Sequence, residues 1–255
     1  MYLENISKNS NPRDNFYIVV NGTNSKIKNT FSPALIGKGY EVALIGLCTY
    51  YSYPNVDETN NTIILTGGGH HTTISLPRGC YELDEINEGI TKLMKWTKNT
   101  AKVVIGKNKI TLRASLLIKE ADWSVEFPKE NSLGSVLGFD SKEYTYRKEP
   151  YISEKIVNIL SVNSILVHCD MISGSMMDGV KSPVIFNYSP NVIPGSKIVG
   201  DPVTPIYLPV SKDVINELNI WVTDQDNRFL DLQGEKIVLT IHMRERRGTH
   251  HARFT

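Results

Sequence analysis

The sequence predicts an all-β chain folded as a sandwich or barrel, and three observations carry that expectation. Short segments of alternating apolar and polar residues recur along the chain, with Gly, Pro, Asn and Asp clusters between them. Roughly sixteen such strand candidates stand against one segment of helical periodicity. The stretch Ile215 to Met243 holds three candidates in a row. In it Leu218, Ile220 and Val222 alternate with Asn219, Trp221 and Thr223. A polar Asp224–Asn227 turn leads to Phe229-Leu230, and after Gly234 the residues Ile237, Leu239, Ile241 and Met243 share one face. By its pattern this stretch is a closing β-meander.

Taken in order, residues 1–14 are polar, Asn-rich and broken by Pro12, which predicts a flexible arm. Phe16–Val20 reads as a strand ended by Asn21-Gly22. Tyr40–Tyr53 is a longer strand, rich in β-branched and aromatic residues, stopped at Pro54. Thr62–Thr66 and Thr72–Leu76 flank a hairpin loop at Gly67-Gly68-Gly69. Between Glu82 and Lys95, Leu83, Ile86, Ile90, Leu93 and Met94 form the stripe of one amphipathic helix. Glu82, Asp84 and Glu85 crowd its start and Lys92, Lys95 and Lys98 its end, which suits the helix dipole. Gly89 weakens it by up to about 1 kcal/mol relative to alanine, and the stripe predicts that it covers an edge or face of a sheet.

Lys102–Ile105 and Lys109–Arg113 read as strands around a Gly106–Asn108 turn. Ser124–Phe127 is another strand, and Asn131–Phe139 a short helical turn ending at Gly138. The charged run Asp140–Pro150 is the best candidate for an exposed loop or linker, a place near 140–150 where the body could subdivide. Beyond it Lys155–Ser161, Ser164–Cys169, Val184–Tyr188 and Ile206–Val210 read as strands, and Ser173–Gly179 as a loop.

At 255 residues the chain can bury a sizeable core. Its 28 basic and 27 acidic residues nearly cancel, so global charge steers it towards neither nucleic acid nor an anionic membrane. The absence of an eighteen-residue apolar run predicts no membrane-spanning helix. The polar start, without an apolar signal region, predicts that the protein stays inside the cell that makes it. Three widely spaced cysteines, Cys48, Cys80 and Cys169, fit reduced thiols better than a disulfide framework.

Four segments invite chemistry. Gly67–His71 lacks the helix that a phosphate loop needs and the third ligand that zinc needs, so a plain hairpin is favoured. His168-Cys169-Asp170 resembles a catalytic set, but strand neighbours point to opposite sides; a buried Cys169 with His168 outward is the preferred reading. Asp224-x-Asp226 with Asp231 begins like a calcium loop but lacks its glycine and closing glutamate, which leaves a hairpin turn. The tail from Arg244, with Arg246, Arg247 and Arg253, is the one clearly basic segment and could contact phosphates. None of these predicts a catalytic residue, a cofactor or a metal.

The chain resembles the minor capsid (penton) proteins of polinton-like and adintovirus-like viruses. The resemblance rests on Val167–Ser175, Pro194–Val199, Ile206–Val210 and the closing Val222–Asn227 to Gly234-Glu235. Gly79–Leu83 and Leu137-Gly138-Phe139 upstream carry it over most of residues 16–243. It implies a jelly-roll β-sandwich body at 15–243 with one inserted helix, preceded by the 1–14 arm and followed by a basic tail at 244–255. The alternative is two compact jelly rolls in tandem.

The resemblance also implies a structural, non-enzymatic role. The subunit would self-associate into a ring, a pentamer, at the fivefold vertices of an icosahedral shell, beside other capsid proteins in a virion assembled inside the host cell. Tyr50, Tyr51, Tyr53, Met176 and Met177 are then the candidate contacts between subunits. Arg244, Arg246, Arg247 and Arg253 are the candidate residues facing genomic DNA. A double jelly-roll major capsid protein and a receptor- or glycan-binding sandwich are the other readings.

Overall fold

The computed structural model describes residues 15–94, 102–108 and 110–246. In chain order its strands begin with β1 (Asn15–Gly22), β2 (Lys26–Ile36) and β3 (Tyr40–Tyr50). Then come β4 (Thr62–Gly67), β5 (His70–Ser75), helix α1 (Leu83–Leu93), β6 (Val103–Asn108), β7 (Arg113–Ile118) and β8 (Ser124–Glu126). A one-turn helix α2 (Gly134–Leu137), β9 (Glu143–Thr145) and β10 (Tyr151–Ile152) follow. The chain continues through β11 (Ile165–Cys169), β12 (Ser175–Met177), β13 (Val180–Ser182), β14 (Val184–Tyr188) and β15 (Lys197–Gly200). It closes with β16 (Leu208–Pro209), β17 (Val214–Thr223) and β18 (Ile237–Glu245). No helix among the described residues is long and apolar enough to cross a membrane.

The chain divides into two units, one formed by residues up to Ser52 and from Val162 onward, the other by Tyr53–Ser161. In the first, β1-β18-β3-β15 form one sheet and β14-β11-β17-β2 another, with β16 joined to β3. Numbering the eight main strands of this unit in order of sequence, the first pairs with the eighth, the second with the seventh, the third with the sixth and the fourth with the fifth, all antiparallel. Pairs one–eight and three–six share one sheet, and pairs two–seven and four–five the other. That nested pairing is the jelly roll.

Alternation along each strand turns Ile18, Val20, Leu239, Ile241 and Met243 of one sheet inward, and Ile27, Leu218, Ile220 and Val222 of the other. These chains are almost fully buried and fill the space between the sheets.

The second unit lies in sequence between the third and fourth strands of the roll. It has a sheet β5-β4-β8-β9, a sheet β10-β7-β6 and both helices around its own core. It is an insertion, so the two-roll tandem arrangement is not what the chain builds. The 140–150 stretch falls inside this unit and contains β9; the unit limits lie at 52/53 and 161/162.

Helix α1 starts with a capping box, in which the Glu82 amide donates to the Glu85 carboxylate at 2.8 Å. It buries Leu83, Ile86, Ile90 and Met94. Asn87 on the helix accepts from the Ile105 amide at 2.9 Å, which satisfies a donor on the free edge of β6. Gly89 is tolerated for packing: a Cβ there would lie 2.9 Å from Leu76.

Several local expectations are corrected. The Ile215–Met243 stretch is not a meander, because β17 and β18 belong to opposite sheets and Phe229 makes only an isolated bridge to Thr223. Alternation tells which side chains point inward but not which strand pairs with which. β2 was invisible in the sequence because Phe31–Ala34, around Pro33, loop out of its pairing with β17. Gly106 lies within β6 opposite Ser115, so that hairpin turns after Asn108, not at Gly106. Lys155–Ser161 forms no strand, while Ser173–Gly179, expected as a loop, contains β12. Arg244, assigned to the tail, is still within β18.

Candidate functional site

The outer face of the β1-β18-β3-β15 sheet is the surface with the most unusual chemistry. A half-buried sheet should show polar residues to water, yet Tyr17, Val19, Val199 and Tyr50 are 65, 57, 52 and 44% exposed there. Register sets them in rows. Tyr17 stands opposite His242 and Val19 opposite Thr240. Val238 and Val199 flank Cys48 on its two sides. The Tyr17 and His242 rings stack with centroids 4.9 Å apart.

Charged groups share this face, among them Asp201, whose Oδ1 lies 3.5 Å from where a Cβ on Gly46 of the inner strand β3 would stand. Arg244 Nε donates to Glu41 at 2.6 Å from the facing strand, and its guanidinium covers the Tyr207 ring at 3.3 Å. Lys197 stands at the start of β15. His242 shares a 2.6 Å hydrogen bond with the Tyr207 hydroxyl and another with Asn15. Burial and the nearby Arg244 hold its pKa below the usual histidine value.

Of the candidate contact residues, Tyr50 lies on this face. Tyr51 and Tyr53 do not reach a surface: each is 2% exposed, and the Tyr51 hydroxyl donates to the Val162 carbonyl at 3.3 Å. Burial in the folded chain removes both from any contact between subunits. Met176 and the half-buried Met177 sit on the β12–β13 hairpin, with Met176 68% exposed. Of the four tail arginines, Arg244 is engaged by Glu41 and Tyr207. Arg246 is exposed, with its amide donating to the Gly39 carbonyl. Arg247, Arg253 and the 1–14 arm lie outside the described residues.

Sequence reasoning missed Tyr17, Val19 and Val199. The signal was present in Phe16–Val20, which is apolar at every position and so must show apolar groups on both faces of its sheet.

The segments that invited chemistry resolve into structure. His168, Cys169 and Asp170 do not converge. Burial pushes the Cys169 thiol up to about 12, and Asp170 binds Lys212 at 2.7 Å and Asn219 at 2.9 Å. His168, expected outward, is itself buried, because β11 is covered on both faces. Its Nε2 bonds the Thr223 hydroxyl at 2.8 Å and its ring lies flat against Trp221, centroids 5.0 Å apart. Asp224 spends its carboxylate on the amides of Asp226 and Arg228 and on Arg228 Nε, all at 2.8–2.9 Å. The chain is held as a turn by that carboxylate. His70 and His71 stand exposed on β5, next to a tight turn in which Gly68 and Gly69 both have positive φ.

Fold and face together define a jelly-roll protein with exposed apolar side chains on the outer face of one sheet. No protein-family model and no curated protein sequence matches the chain. Among solved structures it is similar to a selenomethionine-labelled crystal structure of the mavirus penton protein, with a TM-score of 0.46 and 9% identity, covering 90% of this chain and 99% of that one.

Proposed function

We propose that this chain is a structural subunit of a viral capsid, a minor (penton) subunit that associates with copies of itself into a ring at the vertices of an icosahedral shell. The observation that carries the reading is the outer face of the β1-β18-β3-β15 sheet. Its two edge strands expose Tyr17 and Val19 on β1 and Val199 on β15, an apolar content that fits a face covered by a partner. A jelly roll alone does not define a function. The sequence resemblance to penton proteins supplies the occupant, a second copy of the chain. Tyr50, Met176 and Met177 remain contact candidates in this reading, and Arg246, Arg247 and Arg253 the candidates for facing a genome.

The absolute mass of the purified protein by light scattering, with negative-stain images of the main peak, tests this. A ring, five-membered in the penton case, is expected. Val19→Lys should reduce it to monomers that keep the circular dichroism of the natural chain, because the side chain is more than half exposed in the single chain. A mass of one chain that does not change with concentration or salt would overturn the reading. For the tail, a chain ending at Arg246 should assemble normally but lose salt-sensitive DNA retention; unchanged retention removes that part of the proposal.

A further inference from the structure

The other sheet of the jelly roll carries a pocket of about 200 Å³ on its outer side. Lys26 stands opposite Trp221 and Lys28 opposite Asn219 across the β2–β17 pair, so all four side chains share that outer face. Phe229, reaching in from the Asp224 turn, closes the pocket, while Ile27 and Ile220 turn inward and contribute its floor.

The walls are fixed before any ligand arrives. His168 on β11 flanks Trp221 on the side away from β2, stacked at an interplanar angle of 5° and held by Thr223. Phe229 is positioned by the turn that the Asp224 carboxylate ties to Arg228. Asn219 is pinned by Asp170 and Glu217, and Lys28 is paired with Glu217 at 2.5 Å. Lys26 is the exception. Its ammonium rests 4.0 Å above the Phe229 ring, and among the described residues no carboxylate pairs with it.

A concave site with two aromatic walls and an ammonium that lacks a counter-charge selects a flat or chair-shaped ring bearing an anion. The ring stacks on the indole face that His168 leaves open, the Phe229 ring with the ammonium above it closes the site, and the anion takes that ammonium. We infer that this pocket binds a single six-membered ring carrying a carboxylate, with Lys26 as the carboxylate partner and Trp221 and Phe229 as the walls. An acidic sugar and an aromatic acid share that chemistry. The inference goes beyond the capsid reading and uses the opposite sheet, so either can fail without the other.

Saturation-transfer NMR on the full chain, with glucuronate, glucose and benzoate as probes, tests it. Saturable binding of glucuronate or benzoate, with glucose much weaker, is expected at millimolar concentration, and Lys26→Gln should weaken it at least about fivefold. Phe229→Ala, at a half-exposed position, should weaken it while leaving the fold intact. Glucuronate binding points to an acidic sugar, and benzoate binding alone to an aromatic acid. No saturable binding of either acid up to about 20 mM, equal binding of glucose, or affinity unchanged in Lys26→Gln would overturn the inference.

Discussion

Adding one methyl group at Gly138 is expected to destabilise the inserted unit by about 3 kcal/mol. Gly138 ends α2 with φ at 82°, in the left-handed region, and its amide donates to the Gly134 carbonyl at 2.8 Å. The conformation alone disfavours alanine by about 1–2 kcal/mol. The rest is steric. A Cβ there would stand 2.3 Å from the Lys155 carbonyl oxygen, and that backbone is itself bonded to Gly138, since the Lys155 amide donates to the Gly138 carbonyl at 2.9 Å. No side chain can swing aside.

The next residue transmits the strain to the core. Phe139 stacks on Phe127 at 5.0 Å, and Tyr144 meets both rings edge-on. Gly195 is the control: its φ is 80°, but nothing lies within 4 Å of the position a Cβ would take. Gly195→Ala should therefore show only the conformational part, about 1–2 kcal/mol. Urea unfolding followed by Trp123 fluorescence, with the other two tryptophans replaced by phenylalanine, reports on the inserted unit, and calorimetry on the whole chain. Equal losses from the two glycines would show that the close approach to Lys155 does not matter.

What could be read in advance follows from what a pattern encodes. The helix was legible because its stripe, its acidic start and its basic end are local, and Glu82 and Glu85 form the cap in the structure. The Gly138 stop was legible for the same reason. Pairing was not. β17 and β18 alternate perfectly and are neighbours in sequence, yet each pairs with strands far away in the chain, such as β2 and β1. Period-two alternation reports a face, whereas jelly-roll nesting depends on contacts between residues two hundred positions apart. Likewise the unit limits fall at Ser52 and Val162, where the sequence shows no linker, while the charged 140–150 run belongs to one compact unit.

The candidate surface was half legible for a related reason. Tyr50, Tyr51 and Tyr53 look alike in sequence, and only the end of β3 at Tyr50 decides that Tyr50 faces out while the other two are buried. Neighbouring lysines on β2 gave no hint of a site until Trp221 and Phe229 arrived from another strand and its turn. Lys26 is separated from Trp221 by the whole inserted unit.

Acid is expected to loosen the jelly roll in the window below pH 6.5. His168 is 2% exposed, and burial holds its pKa below the ordinary histidine value. Its Nδ1 is buried without a hydrogen-bond partner, so a proton added there would meet no acceptor. His242 is lowered as well, by burial and by Arg244. Unfolded, both would bind protons near pH 6.5. Below that pH the unfolded chain therefore takes up protons that the folded chain refuses. Stability is full above about pH 6.5 and falls as pH drops, until it passes the folded-state values.

Carboxylates such as Glu217, lowered by its bond to Lys28, contribute the same sign of effect only in the more acidic range of their own titration. The interval from pH 6.5 to 5 thus isolates the histidines. Urea midpoints across that interval should fall steadily in the natural chain. In His168→Phe, which keeps a ring against Trp221 but cannot bind a proton, the fall should be visibly shallower, even if the variant is less stable at pH 7.5 through loss of the Thr223 bond. An identical pH slope in His168→Phe and the natural chain would mean that His168 does not carry the effect. An unchanged midpoint from pH 7.5 to 5 in the natural chain would remove both histidines from the account.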